Sequence, residues 1–291
     1  MANLPQWQHP YPLLLIVILF GSSSAWLLQF GFPPLQPRVR YYAPLVAGAV
    51  AILGGCDLLT AKWRSLPHPF FPSPDEVLGS LIEDRKILLE STWHSLRLLA
   101  CGYLAGVTAG LVTGVLIGWF SIARYWLTPV LKTIGPVPAT ALVPLVMTLF
   151  PASLSFFSGA ALIAFAVWFP MTMLTAAGIS HVPLSYLDVA RTMGASRLYL
   201  IFNVAIPAAL PNIFLGLFQG LGASFLTLIV AETVGVKAGL GWYIQWQKGY
   251  AEYGKVYASL LIMAIFFSSL MTLLFMARDH FLRWQKGVVK W

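Results

Sequence analysis

The chain has 291 residues, of which 58 % are apolar and only 10 % are charged, with a formal net charge of +8. Soluble domains average about 45–50 % apolar and about 25 % charged residues, so too few charges are available here to cover a soluble globule. This composition argues against a soluble enzyme, a disordered protein or a disulfide-stapled secreted domain, and it predicts a polytopic helical membrane protein. The apolar residues lie in long blocks and do not alternate, which is unlike a β-barrel.

The positive balance fits a membrane protein better than a nucleic-acid-binding protein. The chain has 18 Lys and Arg residues against 10 Asp and Glu, but no run of basic residues is longer than two. Basic residues flank membrane spans, and their asymmetry sets the orientation of the chain. We therefore expect membrane lipid, and no nucleic acid, among its partners.

Seven apolar blocks are each long enough to cross a bilayer, which takes about 20 residues of helix. Residues 1–11 contain no Lys or Arg, so the charged leading region of a signal peptide is missing and the first block is interpreted as a retained span. The sequence predicts an all-α, polytopic transmembrane bundle whose spans lie at roughly 12–31, 42–61, 93–119, 127–149, 157–180, 206–233 and 255–277.

The distribution of Lys and Arg favours an N-terminus outside and a C-terminus in the cytoplasm. In that orientation the inner segments 32–41, 120–126, 181–205 and 278–291 carry nine basic residues, whereas the longer outer segments carry six. Cytoplasmic loops of membrane proteins are enriched in Lys and Arg. Segment 181–205 is therefore expected to face the cytoplasm.

The longest polar stretch, from Pro67 to Glu90, is predicted to start extended and then to form an amphipathic helix on the outer membrane surface. Ser73 is a typical cap residue, Pro74 suits the first helical position, and two acids follow in the first turn. A plain connector is the alternative. The apolar residues near helical spacing are Leu78, Leu81, Ile82, Leu88 and Leu89.

The third block carries five glycines, each four residues after the last. Positions i and i+4 share one face of a helix, so these glycines form a groove that lets another helix backbone approach closely in lipid. We expect a tight contact within the chain, with a contact between subunits as the alternative. The glycines are Gly102, Gly106, Gly110, Gly114 and Gly118.

Prolines interrupt the fourth block. Proline removes a backbone hydrogen bond and kinks a helix, and non-helical backbone at membrane depth is tolerated only where protein buries it or a water-filled cavity wets it. Pro136 and Pro138, which follow Gly135, therefore predict a bent helix near a passage. Lys132 lies about one turn earlier, either as a residue of that passage or as an anchor at the cytoplasmic interface.

Segment 181–205 is predicted to hold a helical hairpin of its own. Val182-Pro183 ends the preceding helix, Ser185–Asp188 has the spacing of a capping box, and Gly194 suits a helix C-terminus. A second helical stretch runs over residues 195–203. A bare connector needs no hairpin, so docking to a soluble cytoplasmic partner is favoured over a hairpin that lies on the lipid surface.

This segment resembles the EAA loop of bacterial ABC importer permeases, whose pattern is Glu-Ala-Ala, three residues, Gly, nine residues, then Ile-x-Leu-Pro. The chain has Asp188-Val189-Ala190, Gly194 and Val204-Ala205-Ile206-Pro207 at the same spacing, with four conservative departures in identity. Ala231-Glu232 followed by Gly239-Leu240-Gly241 is similar to the nitrate, sulfonate, taurine and bicarbonate branch. The resemblance covers about residues 42–284.

The resemblance implies a type I ABC importer permease fold with six core spans and one additional N-terminal span. It implies coupling helices at 185–200 that sit in a groove of a separate ATPase chain. That partner would bind ATP and magnesium and hydrolyse ATP, whereas this chain would hold no cofactor and have no enzyme activity. The implied coupling residues are Ser185, Asp188, Ala190, Arg191, Gly194, Ala195, Arg197 and Pro207.

The same resemblance implies the other partners and the location. Two permease chains, identical or different, would enclose the path in the bacterial inner membrane, and a periplasmic or lipid-anchored binding protein would deliver a small anion or organic solute. Members of this branch often carry a basic residue where Gly135 stands, so the path here is expected to differ. Residues 1–41 would form the additional span with a cytoplasmic link, 42–284 the permease domain, and 285–291 a cytoplasmic tail.

Other features carry less weight. Gly249–Lys255 has the first part of a phosphate-loop pattern, but Val256 stands where Ser or Thr would bind magnesium, so no ATPase site is predicted. Glu232 is expected to pair with a cation, to line an outer gate, or to be a solvated helix-end acid. The histidines have no metal-ligand spacing.

An ion-coupled secondary carrier and a membrane-embedded enzyme remain alternatives, although no paired intramembrane acids, inverted repeats or reactive constellation support them.

Overall fold

The computed structural model describes residues 10–31, 36–63, 67, 69–236 and 238–285, and these residues form helices and connecting turns without a β-strand. The predicted all-α class is confirmed. In chain order the helices are α1 (Pro10–Gly31), α2 (Gln36–Asp57), α3 (Pro74–Glu83), α4 (Arg85–Trp119), α5 (Ser121–Ile134), α6 (Val143–Leu149), α7 (Ser155–Ser180), α8 (Leu184–Thr192), α9 (Arg197–Tyr199), α10 (Ile206–Ala231), α11 (Leu240–Gly249) and α12 (Tyr253–Phe281).

Six of the seven predicted spans have a helical counterpart of adequate length. In the part of the chain that the structure describes, five helices are long and apolar enough to cross a membrane by themselves, and α5 with the segment Ala139–Leu149 makes a sixth if this bent pair counts as one span. In α1 the apolar stretch with described side chains is Pro10–Ser24, which is shorter than a span. The five unbroken spans are Val39–Thr60, Arg85–Trp119, Ser155–Ser180, Arg197–Ala231 and Tyr253–Phe281.

The first of two compact units contains the described residues up to Leu89 together with Tyr243–Ile262. Its helix α3 begins as predicted, because Ser73 and Glu76 form a capping box in which each side chain accepts a hydrogen bond from the other residue's backbone N–H at 3.3 Å. The backbone N–H of Tyr11 in α1 donates to Asp75 Oδ1 at 3.1 Å, which ties the start of α1 to the first turn of α3.

The predicted extent of the amphipathic helix is wrong. Helix α3 ends at Glu83, and Leu88 and Leu89 lie in α4. The physical reason is the break at Asp84, whose backbone leaves the helical region (φ −95°, ψ 19°) while its N–H still bonds to Ser80 O. The pattern of apolar residues continues through this break, so spacing alone did not locate it.

A charged cluster sits at the same break in the first unit. The hydroxyl of Tyr243 in α11 donates to Asp84 Oδ2, and Lys255 Nζ in α12 lies 3.3 Å from the same oxygen. Tyr243 is buried, and both Asp84 and Lys255 are largely covered. Burial and the neighbouring Asp84 carboxylate raise the pKa of the Tyr243 phenol. This cluster fixes the ends of three helices to one another.

The second unit contains the described residues of Glu90–Trp242 and Met263–Trp291. Helices α7 and α10 form its centre and approach closely through small residues: a Cβ on Gly178 would lie 3.1 Å from the Cβ of Ala209, and one on Gly220 would lie 3.0 Å from Val167 Cγ1. Small residues at helix crossings are how helices pack where lipid removes the hydrophobic driving force.

Aromatic pairs join α10 to α12 in this unit. The ring centroids of Phe218 and Phe275 lie 4.4 Å apart, and those of Phe225 and Phe267 lie 4.6 Å apart. The guanidinium of Arg278 stands 4.9 Å from the Phe275 ring centroid. Such pairs stabilise beyond the apolar area they bury.

The predicted boundaries after residues 41 and 284 stay predictions. Residues 286–291 of the predicted tail, with the basic Lys286 and Lys290, lie outside the described residues.

Candidate coupling hairpin and passage

The segment after α7 forms the predicted helical hairpin. Helix α8 ends in a turn at Gly194, whose φ is +83°. The Ala195 N–H bonds to Ala190 O at 3.1 Å and the Gly194 N–H bonds to Arg191 O at 2.9 Å, which is the bond pair of a Schellman motif. Ser196 then caps α9, since its hydroxyl accepts from the backbone N–H of Tyr199. The prediction that a helix ends at Gly194 is confirmed.

The predicted capping box at Ser185 is wrong. The residue before α8 is Pro183, in an extended conformation, so the helix begins at Leu184 and Ser185 lies inside its first turn with no capping bond. A proline has a fixed φ and no N–H, and here it takes the cap position ahead of the serine. The Asp188 carboxylate is instead 3.0 Å from Arg191 Nη1, an exposed pair worth about 0–1 kcal/mol.

The hairpin presents an apolar surface to its surroundings. An open groove of about 570 Å³ lies between α8 and residues 195–204, with Gly194 on its wall. Side chains on and beside it are exposed although they are large and apolar, and Met193 at the tip is 84 % exposed. Tyr186, Val189 and Met193 lie outside the five apolar spans, where exposed apolar surface marks an interaction site. The other exposed apolar side chains on and beside the groove are Leu198, Tyr199 and Phe202.

The remaining coupling residues lie beside the Gly194 turn and at the junction with α10. Ala190 and Ala195 are half-buried and pack against the apolar core of the second unit, whereas Arg197 in α9 is exposed. Pro207 is in the first turn of α10 and continues the chain into the membrane-spanning helix. The structure therefore brings the predicted coupling residues into one continuous segment.

The fourth block is sharply bent, as its prolines predict. The axes of α5 and the segment Ala139–Leu149 differ by 84°. Gly135 is buried at the bend, and a Cβ there would overlap the ring of Phe169 in α7, so only glycine fits. Lys132, Pro136 and Pro138 are all exposed around it. An exposed cation thus lies about one turn before the interrupted backbone, and its role in a passage stays a prediction.

The five glycines of α4 face α7 of the same chain. A Cβ on any of them would lie 2.5–2.8 Å from an α7 atom, which is closer than real Cβ contacts. Gly106 meets the carbonyl oxygen of Ala164, and Gly114 meets Thr175. Two further bonds join these helices: Trp168 Nε1 donates to Thr113 Oγ1 at 3.1 Å, and that hydroxyl lies 2.7 Å from Thr172 Oγ1. The groove is therefore occupied within the chain.

The structure buries Glu232. The residue is 0 % exposed, so the expectation of a solvated helix-end acid is wrong. The expectations that it pairs with a cation or lines an outer gate stay predictions, and the nearby Lys237 lies outside the described residues. The Oε2 of Glu232 accepts from the backbone N–H of Gly241 at 2.7 Å, and the Ser95 hydroxyl also interacts with the carboxyl. The sequence analysis did not identify Ser95 as a partner of Glu232. Gly239 and Gly241, which allow the backbone to approach the carboxyl, are visible in the sequence.

The phosphate-loop-like segment has another use. Its Lys255 pairs with Asp84, and Tyr253, two residues earlier, already begins α12. Gly249 ends α11, so the glycines lie at a helix end and a helix start and do not form a loop that wraps an anion.

Comparison with known proteins decides the family. The family model described as "Binding-protein-dependent transport system inner membrane component" matches residues 106–287, which include the bend, the hairpin and Glu232. The chain belongs to this family. It is an ABC importer permease, and this membership decides against the ion-coupled carrier.

Named relatives of the permease fall in one branch. It is 31 % identical to the nitrate import permease protein NrtB of Synechococcus elongatus over 90 % of this chain and 92 % of NrtB. It is 29 % identical to the taurine transport system permease protein TauC of Escherichia coli over 78 % of this chain and 87 % of TauC. It is 32 % identical to SsuC of Bacillus subtilis, whose name assigns it to aliphatic sulfonates transport, over 80 % and 83 %.

Solved structures show the same fold. The permease matches a chain of the MetNI methionine ABC transporter in an inward-facing conformation with a TM-score of 0.55 and 17 % identity, covering 71 % of this chain and 98 % of that one. A second crystal form of MetNI matches with a TM-score of 0.53 and 18 % identity. The predicted permease fold is therefore confirmed.

Proposed function

We propose that the hairpin of α8 and α9 is the coupling element of this ABC importer permease and docks into a separate ATPase chain. The observation that carries the proposal is the combination of a Schellman turn at Gly194 with exposed apolar side chains around an open groove. A rigid hairpin can transmit a displacement of the ATPase to α10, because Pro207 continues it directly into that helix. Ser185, Asp188, Arg191 and Arg197 would contribute exposed polar contacts.

The proposed orientation places the N-terminus outside and the C-terminus in the cytoplasm. The excess of Lys and Arg in the inner segments supports it. The Tyr11–Asp75 bond also supports it, because it puts the start of α1 at the same end as the amphipathic helix α3. The hairpin, with Arg191 and Arg197, then faces the cytoplasm, where a soluble ATPase could reach it.

The proposed solutes are small anions or zwitterions of the nitrate, sulfonate, taurine or bicarbonate type. Relatives named for nitrate, taurine and aliphatic sulfonates support this class. Lys132 is the candidate residue that attracts the solute, since it is exposed beside the bend at Pro136 and Pro138. A cation about 4 Å from an anion in a wet passage is worth about 1 kcal/mol.

The proposed assembly contains two permease chains, the same or different, two ATPases and a periplasmic or lipid-anchored binding protein. ATP and magnesium would bind in the ATPase chains, and this chain would have no catalytic site of its own. Membership of the binding-protein-dependent family supports the ATPase and the binding protein. The same family membership supports a location of this chain in the bacterial inner membrane.

The test is reconstitution in liposomes with candidate ATPase and binding proteins. We expect nitrate, taurine, an alkanesulfonate or bicarbonate to stimulate ATP hydrolysis, and Lys132→Gln to lower the stimulated rate at limiting solute about fivefold. The matched control is Lys248→Gln, an exposed lysine in α11, which should behave as wild type. Stimulation of ATP hydrolysis by methionine alone would contradict the proposed solute class. A Lys132→Gln variant with the wild-type stimulated rate would show that Lys132 does not line the path.

A further inference from the structure

The buried carboxyl of Glu232 is enclosed by a turn built for it. Glu232 is the first residue after the span Arg197–Ala231, and its side chain is fully buried. Its Oε2 accepts the Gly241 N–H in the first turn of α11. The neighbouring Leu240 N–H donates to Ser95 Oγ at 2.9 Å, and this hydroxyl interacts with the same carboxyl. We call Glu232, Ser95 and Gly239–Gly241 the Glu232 clasp.

Two glycines make this enclosure possible. Gly239 has φ +101°, and a Cβ on it would overlap the Glu232 carboxyl at Oε1. A Cβ on Gly241 would lie 2.9 Å from Oε2. The turn therefore closes directly onto both carboxyl oxygens, which a side chain at either position would prevent.

The surroundings of the carboxyl favour its neutral form. Among the described residues Oε1 has no hydrogen-bond partner, and burying a charged oxygen without a partner costs more free energy than burying a neutral one. The partial positive charge at the start of α11 favours the anion, as do the bonds from Ser95 and Gly241. Burial outweighs these contacts and raises the pKa of the Glu232 carboxyl to about 7.

No described charged side chain compensates the anion. Helices α7 and α10 contain no charged residue. On α4 the titratable residues nearest Ser95 are Glu90, His94 and Arg97, and all three are exposed. In α11, Lys248 is exposed at the far end. Lys237 lies outside the described residues, and the experiment below includes it.

We propose that Glu232 is a proton-dependent latch: the neutral carboxyl holds the first turn of α11 against the end of α10, and loss of the proton to solvent loosens that turn. Under the orientation proposed above the latch is on the outer side, so it would sense the pH there. The sign follows from linkage. A carboxyl whose pKa is higher in the closed turn than in the open one makes opening easier as pH rises.

The size of the effect follows from the two pKa values. With 4.5 for an exposed carboxyl and about 7 in the closed turn, opening becomes up to tenfold easier per pH unit between those values and levels off above them. The direct probes are the backbone amides of Leu240 and Gly241, because both donate within the clasp. Their exchange with solvent deuterium requires the turn to open.

The experiment measures hydrogen–deuterium exchange of these amides in the full chain in lipid nanodiscs, from pH 5 to 8, corrected for the intrinsic pH dependence of exchange. We expect wild-type protection to fall up to tenfold per unit below pH 7 and then to level off. Glu232→Gln, which mimics the neutral acid, should show no pH dependence. Glu252→Gln, the same change at an exposed position, and Lys237→Met should retain the wild-type profile.

Three outcomes would overturn the latch. These are a flat wild-type profile, a Glu232→Gln profile that still follows pH, or a Lys237→Met profile displaced by more than one unit, which would make Lys237 the missing counter-charge. If Glu232→Gln fails to fold, the wild-type and Glu252→Gln profiles still decide the question. No solute or ATPase enters this measurement, so its result is independent of the transport assay.

Discussion

Substitution of Gly194 isolates the contribution of one backbone conformation to coupling. Gly194 has φ +83°, and no heavy atom lies within 4 Å of the position that a Cβ would occupy. A new side chain therefore meets no obstacle, and the cost is that of a left-handed conformation, about 1–2 kcal/mol for an L-residue. That cost lowers the ratio of hairpins with the Gly194 turn formed to hairpins with the turn lost by a factor of about 5–30.

The series Gly194→Asn, Gly194→Ala and Gly194→Val should rank in that order. Asn visits the left-handed region more readily than other residues, so it should stay near wild type, whereas the β-branched Val should lose the most. The assay is solute-stimulated ATP hydrolysis by the assembled complex in liposomes, with ATPase binding measured in parallel. We expect Gly194→Ala to weaken productive ATPase binding about 5–30-fold while membrane insertion is unchanged.

Gly79→Ala is the matched control for this series. Gly79 also has open space around its Cβ position, but it lies within helix α3 at a conformation that alanine adopts freely. It should couple as wild type does. Normal coupling in Gly194→Val, with an intact assembly, would refute the argument that the turn at Gly194 transmits the movement.

Four further substitutions test the packing and the charged cluster. Gly106→Ala should destabilise by about 1–3 kcal/mol and lower the midpoint of thermal unfolding in detergent, since its Cβ would lie 2.5 Å from an α7 carbonyl oxygen. Gly135→Ala should destabilise comparably, and adding Phe169→Leu should recover part of the loss, measured as a non-additive double-mutant cycle. Tyr243→Phe removes the donor to Asp84 and should cost about 1–2 kcal/mol equally at pH 7 and pH 9, because the raised pKa of Tyr243 keeps the phenol neutral over that range.

Each of these expectations has a contrary result. Unchanged unfolding of Gly106→Ala relative to Gly79→Ala would mean that α4 does not press on α7 as described. Strictly additive losses for Gly135 and Phe169 would mean that they do not compete for the same space. A Tyr243→Phe effect that disappears at pH 9 would show that the phenol ionises in that range.

Much of the candidate site follows from local sequence. The Schellman turn depends on one glycine and on backbone bonds that span at most five positions, so Gly194 indicates it without knowledge of the rest of the chain. The bend follows similarly from two prolines and a glycine. The start of α8 did not follow, because Pro183 and Ser185 both suit a helix start and the proline took the position.

By itself the sequence determined the membrane class, the positions of most spans, the register of the glycine groove and the location of the hairpin. These depend on composition and on periodicities within one helix. Only the tertiary structure decided that the groove is filled by α7 of the same chain and that Glu232 is buried beneath the start of α11. Those facts rest on pairs such as Ser95 with Leu240, which are 145 positions apart, and on Tyr243 with Asp84, 159 apart. Helical spacing determines which face of its helix a residue occupies. Only the packing of the helices determines which residues contact that face.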